Sequence, residues 1–296
     1  MDIGPVNYTD SNQWLLNLVL ASMILGIALD IRWTDFKAVM KMPRAIVAGL
    51  TAQFLLLPAL TTILTLFLDL PSGVELGMIL VSACPGGAVS NFITHLSGGN
   101  TALSISMTAC ASVLAVVLMP LNFVFWAGLN TDASSLMHSI EVDATSLMVT
   151  LFIVLAIPLK IGFTLRHYRK ELAKKLHKIL KATSVIALAV FVIMAIKNNH
   201  QAFLSHFEFI FSVVFFHNLL AYSLGYSAGK LTGLSTRDTK ATTIEVGMQN
   251  SSLAIAIVFS QFNGESGMAL VSAFWATWHL LSGMLVALIF KKWDEV

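Results

Sequence analysis

Nine apolar stretches divide the chain, at about 13–31, 43–69, 73–97, 101–126, 145–165, 181–199, 207–231, 237–262 and 266–290. A helix needs roughly 20 mostly apolar residues to cross a bilayer, and these stretches supply them. None alternates apolar and polar positions as the strand of a membrane barrel would. Polar residues inside the stretches gather in two places. One is SACPGGAVSNFITHLSGGNTALSISMT, residues 82–108, and the other is TIEVGMQNSSLAIAIVFSQFNGESGMALVSAF, residues 243–274. Each runs from polar mid-span residues into a short connection containing Gly and Asn, then into a helix that begins with small residues. The pattern predicts an all-α polytopic membrane protein with nine transmembrane helices.

Composition agrees. The chain is 56% hydrophobic and 11% charged, with a mean hydropathy of +0.79, where a soluble domain carries about 25% charge. Residues 1–296 read as one transmembrane unit, with no room between spans for a soluble domain. Cys84 and Cys110 both fall in apolar segments and read as buried thiols, not as a disulfide pair or a metal site. The opening MDIGPVNYTDSNQW has no basic region, so a cleaved signal peptide is not expected. A net charge of +2 gives no reason to expect nucleic acid as a partner, and no feature sets an oligomeric state.

The placement of charge is more informative than its sum. Of the 18 Lys and Arg residues, 17 lie around the ends of the odd-numbered spans, on one side, and only Lys197 lies on the other side. The richest group is the stretch 160–181, read as a basic loop, and Lys230, Arg237 and Lys240 form another. The opposite loops, including the acidic stretch 126–145, hold Asp69, Glu75, Asp132, Glu141, Asp143, Glu208 and Glu265. Basic loops stay in the cytoplasm, so the N-terminus is expected outside and the C-terminus inside. The two polar interruptions then fall on spans that run in opposite directions. The last four spans mirror the first four as inverted repeats, the fifth has no partner, and the first repeat lacks one helix of a five-plus-five plan. Paired interrupted spans in two inverted halves point to the binding site of a transporter.

Pro85-Gly86-Gly87 suits a helix break, since Pro removes a donor and Gly weakens a helix. Unwinding frees carbonyl oxygens, and sites rich in oxygen suit hard cations. Glu245 is the carboxylate placed well inside a span. A charge there is costly and marks an ion or substrate path; it is satisfied either by a proton or by a bound cation. Other polar residues carry plainer alternatives. Ser104, Ser106 and Thr108 suit bonds to carbonyls one turn back, Gln53 suits helix–helix contact, and His217 and His279 suit packing.

CPGGAVSN, GGNTALSISMT and EVGMQNSSLAIA resemble the signature segments of the bile acid:sodium symporter family. LLNLVLASMILGIALDIRWTDF, GLTAQFLLLP and AFWATWHLLSG extend the likeness in order along most of the chain. The resemblance implies a core domain (about 43–126 and 207–290) with two broken helices that cross near the membrane centre. A panel domain (about 13–31 and 145–199) packs beside it, with substrate in the crevice between. It implies a first sodium site of Ser90, Asn91, Ser104, Thr108 and Glu245, and a second of Gln53, Glu245, Gln249 and the carbonyls of Val246 and Met248. Asn250, Ala88 and His279 fall at substrate positions. Ala88 stands where many bacterial relatives carry Thr, and Leu280 where many carry Asn.

The function implied is sodium-driven symport of an organic anion, bile acid-like or a smaller carboxylate such as pantoate, across the inner (plasma) membrane by alternating access. Two Na⁺ are co-transported. Proton coupling through Glu245 is the alternative within transport, and a non-transporting sensor on the same fold is the alternative outside it. An enzyme is not expected, for want of paired catalytic carboxylates, an H-E-x-x-H run or a Ser/His/Asp grouping.

Overall fold

The structure, a computed structural model, describes residues 13–140, 143–198 and 206–293. Its helices are α1 (Gln13–Ala28), α2 (Trp33–Val39), α3 (Pro43–Thr51), α4 (Leu57–Leu68), α5 (Ser72–Ala83), α6 (Val89–Leu96), α7 (Thr101–Leu129) and α8 (Thr131–Ser139). They continue with α9 (Ala144–Tyr168), α10 (Lys170–Asn198), α11 (Phe207–Leu231), α12 (Thr236–Gly247), α13 (Ser251–Gln261) and α14 (Ser266–Lys292). Five stretches among the described residues are long and apolar enough to cross a membrane: 43–68, 101–129, 144–168, 207–231 and 266–292. The protein is therefore all-helical and polytopic.

The helix starts follow the local chemistry. Asn100, Asn130, Asp143, Ser235, Asn250 and Glu265 each accept a backbone N–H with a side-chain oxygen, as helix caps do. The Ser146 N–H also holds the Asp143 carboxyl below the usual carboxylate range. The same grammar occurs twice. The helix pair α5–α6 leads through left-handed Gly98 (φ 72°) to the Asn100 cap of α7, and α12–α13 leads through left-handed Gly264 (φ 67°) to the Glu265 cap of α14.

Packing sorts the helices. α5 lies against α14 and α11 against α12, while α1 packs on α9, α10 and α13. The main core is apolar and continuous, with Phe123, Phe262 and Trp275 among its largest buried residues. Leu66, Phe67, Phe125 and Phe216 are exposed, as suits a surface facing lipid. Cys84 is buried and Cys110 half-buried, both as free thiols.

Four sequence expectations need correction. The basic stretch 160–181 is not a loop: α9 runs to Tyr168, the chain turns at Arg169, and α10 starts at Lys170 with Lys174 paired to Glu171 at 2.8 Å. The acidic stretch 126–145 contains the helix α8. Glu75 is not a loop residue but sits in the first turn of α5, 1% exposed, accepting from Leu70 N and Asn130 Nδ2. Lys240, read as a cytoplasmic marker, is 1% exposed, and its ammonium donates to the Ser97 and Phe290 carbonyls at the ends of α6 and α14. Both charges are buried with hydrogen-bond partners, which is how buried charge is tolerated. Lys197 and Glu141, used in the charge argument, have no side chain among those described.

Candidate functional site

The break after α5 starts at Cys84, which is extended (φ −68°, ψ 152°) because the following proline disfavours the helical region for the residue before it. Gly86 then passes so close to Glu245 that an added Cβ would lie 2.5 Å from Oε1 and 3.4 Å from Gln53 Nε2. At Gly87 the nearest atom to such a Cβ is 3.6 Å away, so space does not demand glycine there. The break between α12 and α13 lies directly across. Asn250 N donates to Pro85 O at 2.8 Å and Gly87 N donates to Met248 O at 3.0 Å. Gly86 and Gln249 thus pair antiparallel, and the two interruptions satisfy each other's backbone at depth, as an apolar surrounding requires.

Glu245, near the end of α12, is fully buried. Three hydroxyls from α6 and α7 donate to its carboxylate: Ser90 Oγ at 2.6 Å and Ser104 Oγ at 3.0 Å to Oε2, and Thr108 Oγ1 at 2.6 Å to Oε1. Ser104 and Thr108 also reach Asn91 Oδ1, at 2.8 and 3.2 Å. All five residues of the first predicted set therefore meet at one point. Among the described residues, none of the carboxylate's partners is a cation. Each hydroxyl has one proton, so the carbonyls in reach are alternatives to the carboxylate: Gly87 O for Ser90 and Ser104 O for Thr108.

The second set adjoins it on the far side of Gly86. Gln53 Nε2 donates to Gln249 Oε1 at 3.3 Å, and Gln249 Nε2 donates to Val246 O at 2.7 Å. Gln53 Oε1 is buried and has no hydrogen-bond partner. A buried acceptor without a donor is rare, and a hard cation satisfies it. One carboxylate, neutral hydroxyls, carboxamides and backbone carbonyls make an all-oxygen donor set that fits Na⁺ and offers nothing to a soft metal.

Sequence reasoning missed how Gln53 is presented. Residues Ala52–Leu56 form a π-helical turn between α3 and α4. Asn122 Nδ2 on α7 donates to Phe54 O at 2.7 Å inside that turn. Such turns often mark functional positions; AQFLL itself contains no breaker, but Pro58, four residues after Phe54, lacks the N–H that Phe54 O would accept in an α-helix. Thr94 was also missed: it is fully buried and donates to Ser104 Oγ at 3.3 Å.

A cavity of about 220 Å³ opens beside the crossing, between it and α1 and α10. Ala88, Asn250 and His279 all line it, with Ser90, Asn91 and Thr108 from the carboxylate site. Asn250 Oδ1 caps α13 by accepting Leu253 N at 3.1 Å, which leaves its Nδ2 as the donor for a ligand. His279 Nδ1 contacts Trp275 O at 2.6 Å, so that nitrogen carries the proton and Nε2 is an acceptor. Asp30, Asp35 and His177 complete the wall on the α1 and α10 side. No sequence pattern marks them, since polar residues at a span end are ordinary. His217 does not reach this cavity; it packs on Trp275 and meets Thr61 Oγ1 at 2.8 Å.

Known proteins are similar to this chain along most of its length. A profile of the Sodium Bile acid symporter family matches residues 17–206. The chain is 34% identical over 278 residues to the uncharacterized sodium-dependent transporter YocS of Bacillus subtilis (strain 168), covering 94% of this chain and 83% of that protein. It is 28% identical over 286 residues to the probable sodium/metabolite cotransporter BASS1 of Arabidopsis thaliana chloroplasts, covering 97% and 68%. It is 27% identical over 252 residues to the human ileal sodium/bile acid cotransporter, covering 85% and 70%. The protein is a membrane transporter, not an enzyme, and it belongs to the Sodium Bile acid symporter family.

Proposed function

We propose that this protein imports a small organic anion by symport with two sodium ions across the inner (plasma) membrane. The observation that carries the reading is the convergence of the Ser90, Ser104 and Thr108 hydroxyls on the buried Glu245 carboxylate, with the Asn91 carboxamide oxygen bonded to two of them and no cationic side chain among the carboxylate's partners in the described residues. A first Na⁺ is held by those five residues. A second is held by Gln53, Glu245, Gln249 and the Val246 and Met248 carbonyls, with the orphan oxygen of Gln53 in support. Glu245, shared between two cations, stays ionised.

The anion occupies the adjoining cavity. Asn250 supplies a carboxamide donor, His279 an acceptor for a hydroxyl, and Ala88 close backbone approach at the start of α6. Pockets for drug-sized ligands run to roughly 300–1,000 Å³, and this cavity of about 220 Å³ favours a small carboxylate of pantoate size over a steroid acid.

Nine spans carry the mechanism, with the N-terminus outside and the C-terminus in the cytoplasm. The core is 43–126 and 207–290, and the panel is 13–31 and 145–199, in line with the packing of α1 on α9 and α10. Sodium occupancy favours the state that binds substrate, and movement of core against panel exposes the crevice to each side in turn. Two Na⁺ with one monovalent anion carry net positive charge inward, so the membrane potential adds about 2.3 kcal/mol per 100 mV.

The test is thermal stabilisation of the purified protein by Na⁺ titrated against K⁺ at constant ionic strength and pH. A ligand bound only by the folded state raises the melting temperature with its concentration. A Na⁺-specific rise, absent in Glu245→Ala, is expected. Equal stabilisation by both ions in the wild type would refute the sodium sites. Proton coupling is the second reading, favoured by the alternative carbonyl acceptors of Ser90 and Thr108, which let both hydroxyls release the carboxylate when it is protonated. It requires uptake that follows a pH gradient in Na⁺-free vesicles.

A further inference from the structure

A buried chain of polar side chains stands behind the α12–α13 break, outside both ion sets and the cavity. Asn218 on α11 is 1% exposed, and its Nδ2 donates to Gly247 O at 2.7 Å. Ser282 on α14 donates from Oγ to Asn218 Oδ1 at 2.7 Å. Ser282 Oγ also lies 3.4 Å from Tyr222 OH. Serine has one hydroxyl proton and has given it to Asn218, so Tyr222 is the donor in that contact. The chain therefore runs one way, from Tyr222 through Ser282 and Asn218 to the Gly247 carbonyl. Apolar packing repeats the grip. The Tyr222 ring lies against Gly247 with no room for a Cβ, and a Cβ on Gly283 would lie 3.0 Å from Met248 Sδ.

The position of this chain matters because a helix end leaves carbonyls without intrahelical partners. Val246 O accepts Gln249 Nε2, Gly247 O accepts Asn218 Nδ2, and Met248 O accepts Gly87 N. The middle one of three successive carbonyls is thus taken by a side chain of a neighbouring helix. Each peptide is planar and joined to the next only through φ and ψ. Holding the middle carbonyl therefore restrains the directions of the outer two. Those two are the carbonyls that the sodium reading assigns to the second ion.

We infer that Tyr222, Ser282 and Asn218 are positioning residues for the second cation: they hold the Gly247 carbonyl away so that those of Val246 and Met248 are presented as a pair. This inference rests on the sodium reading above. It adds a third layer to the site, in which α11 and α14, neither of which supplies a ligand to that ion, set its affinity and its preference for Na⁺ over Li⁺.

The experiment is the Na⁺ against K⁺ melting titration on the full chain, repeated with Li⁺, for wild type, Asn218→Leu and Tyr222→Phe. Tyr222→Phe keeps the ring on Gly247 and removes only the donor. Asn218→Leu is expected to raise the half-saturating Na⁺ concentration by roughly tenfold, and Tyr222→Phe by roughly two- to fivefold, with a changed Na⁺/Li⁺ ratio in both. A purely structural role would lower the melting temperature equally in Na⁺ and K⁺ and leave half-saturation where it was. Half-saturation within about twofold of wild type in both variants overturns the inference alone. If Asn218→Leu yields no folded protein, the Tyr222→Phe result decides. A wild type with no Na⁺-specific stabilisation overturns this inference together with the sodium reading.

Discussion

At the scale of single residues, the carboxylate was legible for a simple reason: a lone acid in an apolar stretch is expensive enough to mark itself. Its partners Ser90, Ser104 and Thr108 were named only through the family resemblance, because a hydroxyl in a membrane helix equally suits a carbonyl one turn back. Asn218 was not legible, because a single carboxamide in an apolar helix is also what ordinary helix–helix contact looks like. Nor was the difference between neighbouring glycines, which sequence presents as a pair. The structure separates them: a Cβ at Gly86 would strike Glu245, whereas at Gly87 it would make ordinary contacts. Gly86→Ala is expected to abolish the Na⁺-specific rise in melting temperature, and Gly87→Ala to leave half-saturating Na⁺ within about twofold of wild type. Equal effects would show that the glycines serve backbone freedom, not the approach to Glu245. Asn250→Ala removes both a helix cap and a cavity donor. It should raise the half-saturating concentration of a small carboxylate probe in uptake more than that of Na⁺, and an equal loss would move Asn250 into the ion site.

At the scale of elements, the apolar stretches match the bounds of α1, α7, α9, α11 and α14 to within a few residues, because hydrophobic length is a strong signal in a membrane protein. Pro85 gave the first break through its effect on Cys84. What stayed hidden were features with no compositional mark. Amphiphilic, lysine-rich 170–181 reads as a loop by charge but continues as helix, since Lys and Glu are good helix formers. The π-turn at Ala52–Leu56 is marked only indirectly, by the N–H that Pro58 lacks, yet it decides where Gln53 points. Deleting Leu55 removes the extra residue of the wide turn between α3 and α4 and turns Gln53 away from Gln249. The expected outcome is a protein that inserts and purifies normally but has lost its Na⁺-specific stabilisation. A deletion variant with an unchanged Na⁺ titration would show that the turn is not needed to present Gln53.

At the scale of the molecule, the distribution of charge predicts which ends face which side, and this is open to a labelling test in a background with Cys84 and Cys110 replaced by Ala. A cysteine at exposed Ser139 should react with an impermeant maleimide on intact cells, and one at exposed Lys174 only after permeabilisation. The reverse pattern would invert the topology. The two backbone bonds that join Pro85 to Asn250 and Gly87 to Met248 bear on how the protein is made. Gln53 and Gln249, which meet beside that junction, are 196 residues apart in the chain. Domains emerge from the ribosome N-terminal part first, so for most of synthesis the first half waits in the bilayer with its broken helix unpaired and its ion ligands incomplete. On the sodium reading proposed above, affinity for the ion then appears only when the last helices arrive, and a nascent chain stalled before Glu245 would be a membrane protein with every span of its first repeat and no ability to sense the ion.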